Sequence, residues 1–342
     1  MTRELKRWLI RATLGVTGII MAVCVWWMIA PMTFSSGSSE PPQVVINISQ
    51  GTTFSQVATL LENRNLISND WGFVLLGRLL WVDHKILAGE YELDAGMSPF
   101  EILSEFRNGH VKLHAVTIPE GYSVAQIAEL LGEKGLADPR KFKQIARDRE
   151  VIHSLKLNVP SLEGYLYPNT YHLARHTPPQ QLIAVMFQAL EEAFTPKLRA
   201  QAKQMNMSVH EVLTLASVIE KETSVPDERA IISAVFHNRL RGKIPLQSDP
   251  TVIYGLESFD GNLRKRDLDS PSRYNTYRYR GLPPGPIANP GIDAIRAALY
   301  PARANYLYFV SRNDGTHFFS STLAEHNRAV DRYQRRPNHR QS

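Results

Sequence analysis

A carboxyl group that must give up a proton near neutral pH has to be held neutral by burial or nearby negative charge. Glu220 meets that description. Ser208 and Glu211 form an S-x-x-E capping box that opens a helix running through Glu220, and Ser224-Val225-Pro226 ends it. At about 100° per residue, Glu220 shares a side with Leu213, Ala216 and Ser217, while Leu215, Val218 and Ile219 fill other faces. A helix apolar nearly all round is expected to be buried. Glu220 would lie in its last turn, where desolvation and the negative helix C-terminus both favour the neutral acid. Glu222 falls on roughly the opposite face, next to Lys221, and is expected to face solvent. The plainer reading of Glu220 is a carboxylate reaching solvent, or one paired with Arg239 or Lys221.

Two later segments carry residue types suited to a carbohydrate. PLQSDPTVIY (245–254) places Gln247, Ser248 and Asp249 before a proline, and YNTYRYRGLPPGPIANPG (274–291) interleaves Tyr and Arg with a Pro/Gly-stiffened turn. Tyr faces stack on pyranose rings, and Asn, Gln and Asp bond ring hydroxyls. A surface loop rich in turn formers is the alternative reading. His317 and His326 read as structural. No H-E-x-x-H, G-x-S-x-G, Walker loop or strand-associated G-x-G-x-x-G is present. Cys24 is the sole cysteine, which excludes a disulfide framework and a Cys-based zinc site. No metal and no cofactor are expected.

The elements that must carry these residues follow from the rest of the 342-residue chain. Of the formal charge of +6, residues 1–11 hold +3 and residues 328–342 hold +4, which leaves 12–327 at −1. The basic pI therefore describes the two ends, and nucleic acid is not expected as a partner. Residues 12–30 carry no charge, enough to span a bilayer as a helix, with Trp26 and Trp27 at its outer end and Lys6, Arg7 and Arg11 before it. The expectation is an uncleaved single-pass anchor, N-terminus inside and the remainder outside, rather than a signal peptide.

Residues 31–42 read as a flexible linker. A strand–turn–helix pattern then recurs. Gly51, Thr53, Gln56, Val57, Ala58, Leu60 and Leu61 align with Gly121, Ser123, Gln126, Ile127, Ala128, Leu130 and Leu131, and a looser copy has Gly96 and Ser98. The pattern resembles LysM-like carbohydrate-binding modules. The expected fold class is α+β: an N-terminal transmembrane helix (12–30) behind a basic tail (1–11), a small LysM-like α+β subdomain (43–115), a linking strand–helix element (116–154), a larger mixed α+β catalytic domain (155–334), and a basic tail (335–342). Helical periodicity is read over 180–204, from 208, and over 322–334, with a strand at 306–310.

LEGYLYPNTY (162–171), LASVIEKET (215–223), VFHNRL (235–240), PLQSDPTVIYGL (245–256), YNTYRYRGLPPGPIANPG (274–291) and YLYFVSRNDGTHFFSSTLAEHN (306–327), in that order, resemble the endolytic murein transglycosylase, or YceG-like, family. The resemblance covers about 43–334. It implies a bacterial cytoplasmic-membrane enzyme that cleaves within nascent peptidoglycan glycan strands between N-acetylmuramic acid and N-acetylglucosamine. The product ends would be 1,6-anhydro sugars, and the cleavage would terminate strand elongation. Peptidoglycan synthases (penicillin-binding proteins) are implied as partners, alongside the strands and membrane lipid. The family's catalytic glutamate maps to Glu220, and Gln247, Ser248, Asp249, Tyr254, Tyr274, Asn275, Tyr277 and Asn289 are expected to line the cleft. Glu163, in the E-G-Y motif, is a second carboxylate candidate. Asn169 stands where the family usually has Asp, and two extra residues precede Tyr274. A peptidoglycan hydrolase using Glu220 with Glu163 or Asp249, or a non-catalytic peptidoglycan-binding scaffold, are the alternatives.

Overall fold

The computed structural model describes Gly15, Gly18 and residues 42–335. The expected anchor, most of the linker and the basic tails therefore lie outside the described residues. Among those described, no helix is long and apolar enough to cross a membrane. The chain divides into two compact units. One comprises the chain up to His114 with His172–Thr177, and the other Ala115–Tyr171 with the chain from Pro178 onward. Residues 116–154, expected as a linking element, thus belong to the second unit.

In the first unit, β1 (Gln43–Ile48) leads through α1 (Phe54–Asn63) and α2 (Asp70–Leu79) to β2 (Gly89–Asp94) and then α3 (Pro99–Asn108). β1 and β2 pair antiparallel, with Ile46 opposite Tyr91 and Val44 opposite Leu93. Alternation along the strands sends Ile46, Ile48, Tyr91 and Leu93 inward against Val57 and Leu61 of α1, Phe73 of α2, and Ile102 and Phe106 of α3. The repeat read from sequence corresponds to equivalent helix starts. Thr53 with Gln56, Ser98 with Glu101 and Ser123 with Gln126 each close a capping box. Gly51 and Gly121 both take positive φ in the turns before two of those boxes.

β3 (Leu113–Thr117) and β4 (Thr170–Ala174) pair with each other and contain the points where the division falls. The second unit continues with α4 (Val124–Glu133), α5 (Pro139–Ile145), α6 (Arg149–Ser154), α7 (Pro179–Ala193) and α8 (Pro196–Gln204). The expected single helix over 180–204 is in fact two, because Pro196 cannot continue α7 and instead starts α8. The centre of the unit is α9 (Val209–Glu222), opened by the Ser208–Glu211 capping box as expected, with every residue from Val212 to Ile219 buried. It packs against α10 (Pro226–Arg241), α11 (Asp249–Tyr254) and α12 (Ile292–Leu299). The hairpin β5 (Tyr308–Ser311) and β6 (His317–Ser320) and then α13 (Leu323–Val330) complete the described chain up to a last π-helical turn.

Candidate active site

Helix α9 delivers two glutamates from its last turn. Two residues apart, Glu220 and Glu222 point to opposite sides of the helix, and their surroundings differ. The Glu220 side chain is 7% exposed. One oxygen accepts the Gly291 N–H at 2.9 Å, and the other lies 3.6 Å from an Arg229 guanidinium nitrogen. Its ion-pair partner is therefore Arg229, not the Arg239 or Lys221 of the plainer sequence reading. Glu120 belongs to the same cluster: a Cβ on Gly291 would strike its carboxyl, so that contact exists only because residue 291 is glycine. Burial raises the Glu120 pKa, and the Glu220 charge raises it further against the opposing pull of Arg229. This face of α9 thus presents a donor, a cation and a second carboxyl to Glu220.

Glu222 contradicts its sequence-based placement. Its side chain is partly buried rather than solvent-facing. Leu215, Val218 and Ile219, one and two turns back on the same side, are all fully buried, and the glutamate continues that side of the helix. One carboxyl oxygen accepts the Ser248 hydroxyl. Burial pushes the Glu222 pKa up to about 7, with the Asp249 charge adding to it and the Ser248 hydrogen bond and Arg239 charge opposing it. The carboxyl opens on a cavity of about 420 Å³ lined also by Arg239, Gln247, Asp249 and Tyr277.

The walls of that cavity are tied together by the two segments singled out from sequence. Gln247 N–H donates to Thr276 O at 3.1 Å and Ser248 N–H to Thr276 Oγ1 at 3.0 Å. Thr251 Oγ1 in turn donates to Ser248 O at 2.6 Å. Gln247 is held at φ 51°, a left-handed conformation that strains a residue with a side chain. Arg239 braces the turn from below, donating to Leu246 O and Leu307 O at 2.7 Å each and to Gln247 Oε1 at 3.3 Å. Tyr277 OH donates to Asp249 Oδ1 at 2.5 Å. His317 and His326 stand in the same wall. His317 is fixed by Glu228, which takes both its backbone N–H at 2.8 Å and its Nδ1 at 2.6 Å. His326 stacks on Tyr308 at 5.2 Å between centroids.

Other predicted cleft residues lie elsewhere. Glu163 is 6% exposed and accepts from Val124 N–H at 3.0 Å, Tyr254 OH at 3.2 Å and Asn289 Nδ2 at 3.3 Å. Burial pushes its pKa up to about 7 against those hydrogen bonds. With Tyr254, Tyr274 and Arg147 it lines a separate cavity of about 740 Å³ that includes neither Glu220 nor Glu222. Asn275 and Asn289 are fully buried, and their amides serve the fold. Asn275 Nδ2 donates to Leu268 O and Ser270 O, while Asn289 accepts Leu166 N–H at 2.8 Å and donates to Tyr122 O at 2.9 Å. Both shape loops instead of facing a ligand.

The family model described as YceG-like matches residues 46–332. The chain belongs to the YceG-like family. It is 33% identical over 310 residues to a Bacillus subtilis (strain 168) protein named endolytic murein transglycosylase, a match covering 85% of this chain and 84% of that one. A Streptococcus pneumoniae (strain D39) protein of the same name is 30% identical over 322 residues, covering 84% of this chain but 58% of the longer relative. The crystal structure of a YceG-like protein from Listeria monocytogenes superposes with a TM-score of 0.59 at 34% identity, covering 85% of this chain and 99% of that one. The mixed α+β architecture of this YceG-like chain agrees with that neighbour. The matched region reaches into both units and includes both α9 glutamates.

Proposed function

We propose that this chain is a peptidoglycan endolytic transglycosylase and that Glu222, not the Glu220 favoured by sequence, is its catalytic acid. The observation that carries this reading is the Glu222 carboxyl, raised to about 7 and opening on a cavity shared with Gln247, Asp249 and Tyr277. The relatives' names supply the substrate class and reaction. Neutral Glu222 gives its proton to the glycosidic oxygen on the anomeric carbon of N-acetylmuramic acid, and the bond breaks with oxocarbenium-like charge on the ring. The Glu222 carboxylate then takes the proton of the same sugar's 6-hydroxyl as that oxygen bonds to the anomeric carbon. The product is a 1,6-anhydro end, no water is consumed, and the acid is restored. Proximity of the internal hydroxyl replaces an external nucleophile. Ser248 fixes the carboxyl rotamer, and Arg239 stabilises the carboxylate formed in the first step.

The experiment is incubation of the Glu222→Gln and Glu220→Gln variants with glycan strands, followed by product masses. Loss of cleavage in Glu220→Gln with full turnover in Glu222→Gln would return the role to Glu220. One observation favours a second reading. Asp249 places a second carboxyl in the Glu222 cavity, as a hydrolase requires. Products heavier by one water would identify that reaction.

The wider setting is part of the same proposal. The 12–30 segment anchors the chain in the bacterial cytoplasmic membrane with the folded units outside. The β1–α1–α2–β2 order with antiparallel strands supports a LysM-like, glycan-binding first unit. Peptidoglycan synthases are the partners that a terminator of strand elongation would meet.

A further inference from the structure

Helix α2 is apolar on the side that does not face its own core. Its inner side is close-packed: Phe73 stacks on Phe54 at 5.7 Å, and Gly77 leaves room for the Phe54 ring, which a Cβ would strike. The outer side carries Trp71, Leu75 and Leu79, spaced by four residues and 68%, 49% and 73% exposed, with Arg78 beside them. A helix apolar on both sides belongs between two apolar phases.

Trp81 follows directly after that face, is itself exposed, and is strained. The end of α2 is a Schellman motif, in which Val82 N–H donates to Gly77 O at 2.9 Å and Trp81 N–H to Arg78 O at 3.1 Å. Such an ending puts Trp81 in the left-handed region at φ 57°. The corresponding left-handed residues are Asn65, Gly135 and Asn206 after α1, α4 and α8, and Lys156 and Lys243 after α6 and α10, so Trp81 is the one aromatic residue among these helix ends. An indole there is a conformational outlier. Its ring is 75% exposed, so the unit itself recovers little by burying it. The strain is explained if the ring contacts something outside the chain.

We infer that the Trp71–Leu75–Leu79–Trp81 face of α2 seats the first unit on the outer surface of the lipid bilayer. The inference rests on the anchor reading given above. Only residues 31–42 separate the uncharged 12–30 run from the first unit. That tether reaches about 40 Å fully extended and about 20 Å as a coil. The unit is thereby held at the bilayer at high effective concentration, where a small apolar contact suffices. Three side chains on one short helix and one just after it are too few for the area a stable dimer buries. Trp, Leu and a flanking Arg are the composition of elements lying in the headgroup region.

The test uses the full chain with Trp8, Trp26 and Trp27 changed to Phe, reconstituted into phosphatidylethanolamine and phosphatidylglycerol vesicles. Only Trp71 and Trp81 then emit. Lipids brominated near the top of the acyl chains are expected to reduce emission by roughly two-fold. Adding Leu75→Glu and Leu79→Glu should abolish that quenching and expose the rings to aqueous acrylamide. Trp81→Gly should raise the melting temperature in detergent, because it relieves the left-handed strain, while weakening the contact. Absence of bromine quenching overturns the inference, and protection from acrylamide without it assigns the face to a protein partner or a second copy. A lower melting temperature for Trp81→Gly also overturns it, by making Trp81 an internal structural residue. Carbonate extraction reports separately on the anchor: release of the chain removes the tether and the inference with it, while leaving the Glu222 chemistry untouched.

Discussion

The two sides of α9 present two glutamates, two residues apart, to different partners. Glu220 meets Arg229, the Gly291 N–H and the neighbouring carboxyl of Glu120, whereas Glu222 meets Arg239, the Ser248 hydroxyl and Asp249 on a cavity. Both side chains are removed from bulk water, so burial alone does not distinguish an acid from a carboxylate. What distinguishes Glu222 is the cavity on which its carboxyl opens, where burial and the Asp249 charge raise its pKa against the Ser248 hydrogen bond and the Arg239 charge.

The comparison breaks most sharply on activity. Glu222→Gln keeps the shape and the Ser248 contact but cannot donate a proton, and cleavage is expected to fall by about 10²–10⁴-fold. Glu220→Gln keeps the Gly291 contact and weakens the Arg229 pair, so it is expected to cost about 2 kcal/mol of stability with a far smaller loss of turnover. Rates on glycan strands, together with denaturant melts of both variants, read the two effects separately.

Stability against pH gives the next largest effect. A carboxyl whose folded pKa lies near 7 binds its proton more tightly in the folded than in the unfolded chain, whose value is near 4.5. Folding stability from this group is therefore full below about 4.5, falls as pH rises, and reaches its lowest level above about 7, a loss of about 3 kcal/mol. Glu163 titrates in the same window with the same sign. The Glu222→Gln melts should consequently show a shallower fall than the parent chain between these limits, and identical slopes would place Glu222 in an ordinary solvated environment.

Much of this arrangement was legible in the sequence. The Ser208–Glu211 box located the central helix, and apolar residues on every face announced its burial. The repeat of capping boxes at Thr53 and Ser123 was equally plain. What went astray was the expected exposure of Glu222 on that helix. The reading that Leu215, Val218 and Ile219 are buried already implied that Glu222, three and four residues beyond the last two, would follow them inward. Lys221 beside it suggested solvent, and sequence neighbours on a helix point in different directions. Asn275 and Asn289 were read as ligand contacts because their polar type fits a sugar. Their use as internal loop braces depends on carbonyls such as Leu268 O and Tyr122 O, brought close only by the folded chain. The separation of Glu163 from Glu222 is likewise tertiary, since nothing in either motif states which cavity its carboxyl enters.

Arg239 sharpens the comparison from the cavity floor. Its guanidinium holds the carbonyls of Leu246 and Leu307 while its charge opposes the upward shift of Glu222. Arg239→Met is expected to cost about 2 kcal/mol by leaving buried carbonyls without donors. The remaining activity should persist to higher pH, because the acid loses a stabiliser of its charged form. A variant that melted normally and kept the parent pH profile would detach Arg239 from the site.

The finest test is Ser248→Ala. The hydroxyl donates to Glu222 and by doing so favours the charged form, so removing it should raise the pKa of the acid. Cleavage requires the proton, and the alkaline limb of kcat/KM reports the acid in the free enzyme. That limb should therefore move to higher pH, by up to about one unit for a single hydrogen bond to a charged group, while the plateau rate falls modestly because the carboxyl is less well oriented. A downward shift would mean that Ser248 stabilises the proton and not the charge. An unmoved limb in Ser248→Ala, combined with a displaced one in Arg229→Met, would transfer the titrating acid to the Glu220 side of α9.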